Sequence, residues 1–217
     1  MRITLFAVAM LLSFSTFAQV GTGLFMGGEL GFTSASSTST NGSTSTKGPV
    51  ATTFSIKPRV GYFFTDNIAA GLTIGYASTG SKSRTIDSKS VSNTMSVGLF
   101  GRYALPLGDA GNFAFLGDLN LGFSGTSGKS ETTVLGTTIT SKNDPSTRIS
   151  VGLAPGILFF PTPKIGLEAN LGNIIYFSRT QVTDANNNDN RTYYTNFSAF
   201  NISSLSFNFG LNYYFNR

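Results

Sequence analysis

The residues of this sequence that could do chemistry are a few charged side chains set singly inside alternating apolar segments. Seven of them share one phase of the alternation: Glu29, Lys57, Arg59, Arg102, Asp118, Arg148 and Glu168. Four are basic and three are acidic, and an unpartnered buried ion is strongly penalised. The pattern therefore predicts a network of ion pairs, with Glu29 beside Lys57 and Arg59, and Arg102 beside Asp118.

Enzyme chemistry has little support in this composition. The 217 residues include no His and no Cys, which removes the commonest general base, Ser-His and Cys nucleophile arrangements, and most metal sites. Asp118 and Glu168 could in principle act as a carboxylate pair, but they lie two predicted strands apart and each has a cation nearby. We expect no catalytic residue, no metal and no cofactor.

The overall charge is low for a water-soluble domain of this length. Charged residues make up 12% of the chain, against about 25% in typical soluble domains. The formal net charge of +5 is a weak basicity and does not indicate a nucleic-acid partner. No uninterrupted apolar run of about 18 residues follows the N-terminus, so helical membrane spans are not expected.

The first residues have the pattern of a secretory signal peptide. Arg2 is followed by an apolar run from Ile3 to Phe14, and Thr16 and Ala18 are small residues at the positions that precede a cleavage site. The run is too short for a membrane anchor, which needs about 20 apolar residues. We therefore predict a signal peptide over residues 1–18 and one domain over residues 19–217.

The rest of the chain repeats one signal, with an apolar residue at every second position over about ten residues. Eight segments show it: 23–34, 53–64, 67–78, 93–105, 112–124, 147–160, 164–177 and 203–215. Short turns at 65–66, 106–111 and 161–163 alternate with long polar stretches at 35–52, 79–92, 125–146 and 178–202. Tight turns at one end and long loops at the other are typical of outer-membrane barrels. The predicted fold is all-β, an eight-stranded antiparallel up-and-down transmembrane barrel.

Alternation alone does not say which face of such a barrel is the outside. A secreted lipocalin-like barrel would hold the apolar phase inside. Here the polar phase is rich in Gly, Ser, Thr, Ala and Asn, which suits a narrow lumen better than a water-facing surface. Aromatic residues of the apolar phase gather near both strand ends, as in the two aromatic rings of membrane barrels. The membrane barrel is therefore the favoured interpretation.

Several functions are compatible with that barrel. The charges could form a structural network that plugs the lumen, or the gate of a narrow pore for ions, protons or small solutes. The Ser/Thr-rich tract 36–46 could serve adhesion or ligand binding, or could be solvated, flexible linker. Basic side chains in the second and third long loops could contact lipopolysaccharide headgroups or keep the loops soluble: Lys82, Arg84, Lys89, Lys129 and Lys142.

Three stretches resemble a known family. Residues Pro58–Gly71 resemble the second hairpin of the outer-membrane β-barrel domain family of Bacteroidetes-type bacteria, often labelled porin-family or OmpA-like. Gly152–Gly156 with Leu167-Glu168-Ala169 resemble its sixth and seventh strands, and Phe207–Phe215 resembles the last strand, which the barrel-assembly machinery reads. The resemblance implies an outer-membrane location and an eight-stranded barrel, and its motifs carry no catalytic residues. We also expect lipid and lipopolysaccharide as surroundings, a transient contact with that machinery, a monomer, and no peptidoglycan-binding domain.

Overall fold

A computed structural model describes residues 21–41, 44–83, 88–108, 112–134, 137–185, 190–200 and 207–215. The predicted signal peptide at 1–18 lies outside these residues. The described chain is built from strands: β1 (Gly23–Asn41), β2 (Thr44–Phe63), β3 (Ile68–Lys82), β4 (Ser88–Leu107), β5 (Phe113–Val134), β6 (Thr137–Thr162), β7 (Ile165–Asn170), β8 (Ile175–Thr183), β9 (Arg191–Ala199) and β10 (Asn208–Tyr214). No helix in the described residues is long and apolar enough to cross a bilayer.

All neighbouring strands pair antiparallel, and the sheet closes on itself. The order is β5-β4-β3-β2-β1-β10-β7-β6-β8-β9, and β5 also pairs with β6. The last pairing runs from Phe113↔Phe159 to Val134↔Thr137. It joins β5, β4, β3, β2, β1, β10, β7 and β6 into a ring of eight strands. The predicted all-β antiparallel class is confirmed.

The strand count differs from the predicted eight, because the sheet contains ten. The predicted seventh strand, 164–177, is broken at 171–174, where Gly172 has a φ of +70°. The edge of β6 that is not paired with β5 pairs with β7 from Gly156 to Thr162 and with β8 from Ser146 to Leu153. The other additional strand is β9, which lies inside the stretch 178–202 that was predicted as a loop. Of the predicted eighth strand, residues 208–214 form β10, and 203–206 lie outside the described residues.

The long polar stretches are also paired strands over most of their length. β1 continues to Asn41 and β2 begins at Thr44, so the Ser/Thr-rich tract forms a hairpin in which Asn41 faces Thr44. In the next hairpins Lys82 faces Lys89 and Val134 faces Thr137. The prediction of long loops, and of a flexible linker at 36–46, is wrong for these described residues. Thr favours extended backbone, and backbone pairing in a hairpin does not require an apolar alternation.

The outward face of the ring is apolar at every strand. One row across three strands joins Leu72, Leu99 and Leu121, whose exposed fractions are 51%, 55% and 48%. Aromatic residues flank this band as the sequence predicted. Phe32 faces Phe54 toward the long hairpins, and Phe113 stacks on Phe159 at a centroid distance of 4.7 Å toward the short turns. Such a surface is suited to lipid.

The inward face is tightly packed toward the short turns, where two glycines let strands and rings approach. Gly61 and Gly71 face each other across β2 and β3. A Cβ on Gly71 would lie 2.6 Å from the Cα of Gly61 and 2.7 Å from Cε1 of Phe100. These glycines are required because ring and backbone atoms occupy the space of their missing side chains.

Gly71→Ala is expected to destabilise the folded barrel by about 1–3 kcal/mol, the usual cost of overpacking. Gly80→Ala is the matched control, since Gly80 lies on the same strand and no atom lies within 4 Å of its added Cβ. Equilibrium urea unfolding in detergent micelles or liposomes measures both. Equal midpoints for the two variants would contradict the packing described here.

Candidate functional site

Six of the seven predicted charged residues meet inside the ring, in a set that we call the lumen charge cluster: Glu29, Lys57, Arg59, Arg102, Asp118 and Glu168. They come from β1, β2, β4, β5 and β7. The pairing register places Glu29 directly opposite Lys57 and Arg102 directly opposite Asp118. The structure thus places Glu29 beside Lys57 and Arg102 beside Asp118 on neighbouring strands.

The two glutamates approach the same arginine, Arg59, from either side of a glycine. Gly210 on β10 lies opposite both Glu29 and Glu168. A Cβ at Gly210 would lie 3.4 Å from Cβ of Glu168 and 3.4 Å from Cγ of Glu29. These are ordinary van der Waals distances, so both glutamates lie against Gly210 and converge over the strand between them.

Arg102 is the centre of the lumen charge cluster and is only 2% exposed. Its Nε donates to Oδ1 of Asp118 and its Nη2 donates to Oδ2, both at 2.7 Å, a bidentate contact. Nη2 also donates to Oε2 of Glu168 at 2.9 Å, and Nη1 donates to Oε1. One guanidinium therefore holds two buried carboxylates, the geometry in which arginine binds most strongly.

Arg59 extends the lumen charge cluster toward β1. Its Nη1 donates to Oε2 of Glu168 at 3.2 Å and to Oδ2 of Asp118 at 3.5 Å, and its Nη2 pairs with Glu29. Lys57 Nζ lies 3.4 Å from Oε2 of Glu29. Three basic and three acidic groups thus form one connected set with no net charge, which is how charge can be held in a narrow lumen.

Two neutral side-chain amides also donate hydrogen bonds to the carboxylates of the two glutamates. Asn170 Nδ2 donates to Oε1 of Glu29 at 3.1 Å, and Asn212 Nδ2 donates to Oε1 of Glu168. The carboxylates of Asp118 and Glu168 share both arginines, so neither is free to act as a general base. In the described residues no group of His, Cys, Asp or Glu is arranged to hold a metal ion.

Arg148 is not brought into the lumen charge cluster, although the sequence placed it there. It faces Ser124 on β5, six residues farther toward the long hairpins than Asp118. Its Nε donates to Oγ1 of Thr180 at 3.0 Å, and within the described part of the chain no carboxylate lies at ion-pair distance. The phase of the apolar alternation predicted that Arg148 points into the ring. It did not predict how far along the barrel axis Arg148 lies.

A layer of buried apolar side chains fills the lumen below the charges, toward the short turns. We call it the aromatic layer: Phe25, Phe63, Phe100, Leu116, Leu158, Phe160 and Tyr214, with Ala69, Ala104 and Ala114. Phe25 stacks on Tyr214 at 5.3 Å and meets Phe100 edge-on at 6.1 Å. The Arg102 guanidinium lies 5.7 Å from the Phe25 ring centroid, so the two layers are in contact.

Sequence reasoning missed the aromatic layer, although a signal for it exists. Phe25 and Phe100 occur in the inward phase of their segments. Phe63, Phe160 and Tyr214 each directly follow an outward-facing aromatic residue, which breaks the alternation at the short-turn end. Consecutive aromatic residues at a strand end therefore indicate one ring outside and one ring inside.

Above the charges the lumen is open and polar. A cavity of about 350 Å³ is lined by residues that include Lys57, Ser96, Asn120, Arg148 and Tyr176. The interior thus has three levels: the aromatic layer at the short turns, the lumen charge cluster above it, and a polar vestibule toward the long hairpins.

Arg102→Met is expected to destabilise the barrel by about 3–5 kcal/mol, because it leaves Asp118 and Glu168 buried with Arg59 as their remaining cation. Arg148→Met removes a cation from the same lumen and should cost less than about 1 kcal/mol, since its partner is a hydroxyl. Urea unfolding in liposomes compares the two. A loss at Arg148 as large as that at Arg102 would contradict the network described here.

Comparison with known protein families identifies the family of this chain. Residues 4–215 match the outer membrane protein beta-barrel domain family. Among solved structures, Neisserial surface protein A is similar over 90% of this chain and 99% of its own chain, with 16% sequence identity and a TM-score of 0.35. No curated protein sequence is a significant match. The match to the family covers nearly the whole chain, and this chain belongs to the outer membrane protein beta-barrel domain family.

Proposed function

We propose that this protein is a monomeric outer-membrane barrel with a closed lumen and no enzyme activity, which acts through the hairpins that it presents outside the cell. The observation that carries the proposal is the filled lumen. Arg102 and the two carboxylates it binds lie directly on the aromatic layer, and all are buried.

Two barriers in series support the closed state. Breaking a buried ion pair by removing one partner costs about 3–5 kcal/mol, so thermal opening of the lumen charge cluster would be rare. Beneath it, Phe25, Phe63 and Tyr214 pack ring on ring across the interior. An ion that passed the charges would still meet this apolar layer, where its hydration shell could not follow.

The hairpins support a role in surface interaction. β5 continues about eleven residues beyond Phe123 of the outer aromatic ring to Val134, roughly 35 Å at the usual rise of a strand. β6 pairs with it along this whole extension, apart from one bulge. The hairpin is therefore a paired ladder that can hold a binding surface in place better than a solvated loop could.

Export and assembly follow the same proposal. Residues 1–18 would direct the chain across the inner membrane and be cleaved there. The aromatic last strand, which ends in Tyr213, Tyr214 and Phe215, would be read by the barrel-assembly machinery. Both ends of the barrel domain would then lie on the periplasmic side with the short turns.

A gated pore is the alternative that the polar vestibule favours. The vestibule leads from the long hairpins down to Lys57 and Arg59, so the charges could act as its gate. The aromatic layer weighs against this function, because it blocks the lumen on the other side of that gate.

Neither the wild type nor Arg59→Ala is expected to give conductance steps in planar bilayers, because the aromatic layer remains in both. Folded protein is selected by its heat-modifiable migration in detergent before reconstitution. A general porin in the same bilayers is the positive control for insertion. Regular steps from either form of the protein would contradict the closed lumen and favour the gated pore.

A further inference from the structure

We propose that a groove on the outward face of β4, β5 and β6 binds phosphate groups of lipopolysaccharide headgroups. We call it the lysine groove, and it is lined by residues that include Val91, Asn93, Lys129, Lys142 and Pro145. The inference rests on the proposed function for its orientation, in which the long hairpins lie outside the cell.

Two lysines face each other directly in the lysine groove. Lys129 on β5 is the cross-strand partner of Lys142 on β6. Lys129 follows the outward-facing Phe123 by an even number of residues, so it lies on the same face, and both lysines are exposed. Directly opposed residues have Cβ atoms about 5 Å apart, and like charges at that spacing destabilise a sheet. The pair therefore favours an anion that lies between its two amines.

Within the described part of the chain, no acidic side chain supplies that anion, since no carboxylate lies at ion-pair distance from Lys129 or Lys142. Asp144, the next acid along β6, accepts a hydrogen bond from the backbone N–H of Ala185 at 2.9 Å. Glu131 lies on the same face of β5, two residues beyond Lys129, and directly opposite Lys89 on β4. Among the described residues it forms no ion pair with Lys129 or Lys142. The ammonium groups of Lys129 and Lys142 thus keep donors for a ligand.

A bulge shapes the space beside this pair. The β5–β6 register shifts between Thr126 and Gly128, where two residues of β6, Asp144 and Pro145, oppose one residue of β5. Bulges of this kind bend the strand locally and redirect side chains. The result is a groove of about 520 Å³, within the range of roughly 300–1,000 Å³ found for small-ligand sites. Lysine is a common phosphate ligand because its ammonium acts as a compact point charge with three donors.

The position of the lysine groove selects the source of the phosphate. Lys129 lies six residues beyond Phe123, about 20 Å along the strand and about 15 Å above the aromatic ring at the usual strand tilt. The groove faces away from the lumen, toward the molecules that surround the barrel. At this height those neighbours are the saccharide headgroups of the outer leaflet, and lysine side chains can reach several ångströms toward them.

The test uses folded wild-type protein in a phosphate-free detergent and measures binding by thermophoresis. The probes are rough lipopolysaccharide, the same lipopolysaccharide after removal of its phosphates, and glucose 6-phosphate. The variants are Lys129→Gln, Lys142→Gln, their double variant, and the charge-conserving Lys129→Arg/Lys142→Arg. Lys164→Gln is the control, since Lys164 is an exposed lysine in the β6–β7 turn at the other end of the barrel.

Wild type is expected to bind intact lipopolysaccharide more tightly than the dephosphorylated form. Each Gln substitution should weaken that binding about fivefold and the double variant about twenty- to thirtyfold, as for lysines near an anionic surface. Lys164→Gln and the Arg variant should bind as wild type does. Equal binding of both lipopolysaccharides, or no loss in the double variant, overturns the proposal. Binding of glucose 6-phosphate as tight as that of lipopolysaccharide overturns its assignment to the membrane glycolipid.

The same variants keep this result separate from the proposed function. Lys129 and Lys142 lie outside the lumen, so heat-modifiable migration and the absence of conductance should be unchanged in every variant. Loss of phosphate binding with a closed, folded barrel therefore supports the lysine groove. Failure to bind phosphate in a closed wild-type barrel overturns the groove and leaves the closed barrel standing.

Discussion

Backbone N–H and C=O groups that cross a hydrocarbon layer have no water to bond to, so each must find its partner in the chain. The pairing of β5 with β6 satisfies this requirement here, because it turns an open sheet into a ring of eight strands. Once the ring is closed, successive side chains of each strand point either to the outside or into a narrow lumen. The apolar outer band and the charged interior are both consequences of that closure.

The lumen then has to be filled without leaving an ion unpaired. Arg102 binds Asp118 and Glu168, and Arg59 links those carboxylates to Glu29. Small residues make the packing of the rings possible, since Gly61 and Gly71 admit the rings of Phe25 and Phe100. The charges and the rings depend on each other. The aromatic layer keeps the arginines away from water on one side, and the guanidinium groups lie against the ring faces.

The sequence predicted the parts of this arrangement that follow from a period of two. The alternation puts Leu72, Leu99 and Leu121 on the apolar face and sets Glu29 beside Lys57 and Arg102 beside Asp118, because phase and strand order decide those relations. The alternation did not predict the position of Arg148 along the barrel axis, because that position depends on the stagger between strands. The break in the seventh strand and the burial of Phe63, Phe160 and Tyr214 were missed for a related reason. The break depends on how one edge of β6 is shared between β7 and β8. The burial depends on how the rings pack across the lumen.

The paired hairpins were predicted as loops because the apolar alternation that marks a strand is missing from them. From Thr38 to Lys47 both phases are polar, yet the ladder continues. A hairpin in water needs backbone partners and extended-backbone preferences, but it does not need an apolar face. Lys129 and Lys142 lie on the outward face beyond the end of the apolar band. The outward phase nearer the short turns lies within that band and carries no charge.

In each strand one phase meets lipid and the other meets a filled interior, and a fluorescent probe can distinguish the two surroundings. The protein contains no tryptophan, so a single introduced Trp reports on its own surroundings. Leu99→Trp and Phe100→Trp place the probe at consecutive residues on opposite faces, and Phe123→Trp with Ser124→Trp repeats the comparison where the lumen is wider. In liposomes of brominated lipid, fluorescence should be strongly quenched at positions 99 and 123 and retained at positions 100 and 124. Quenching of the inward positions with retention at the outward ones would contradict the account.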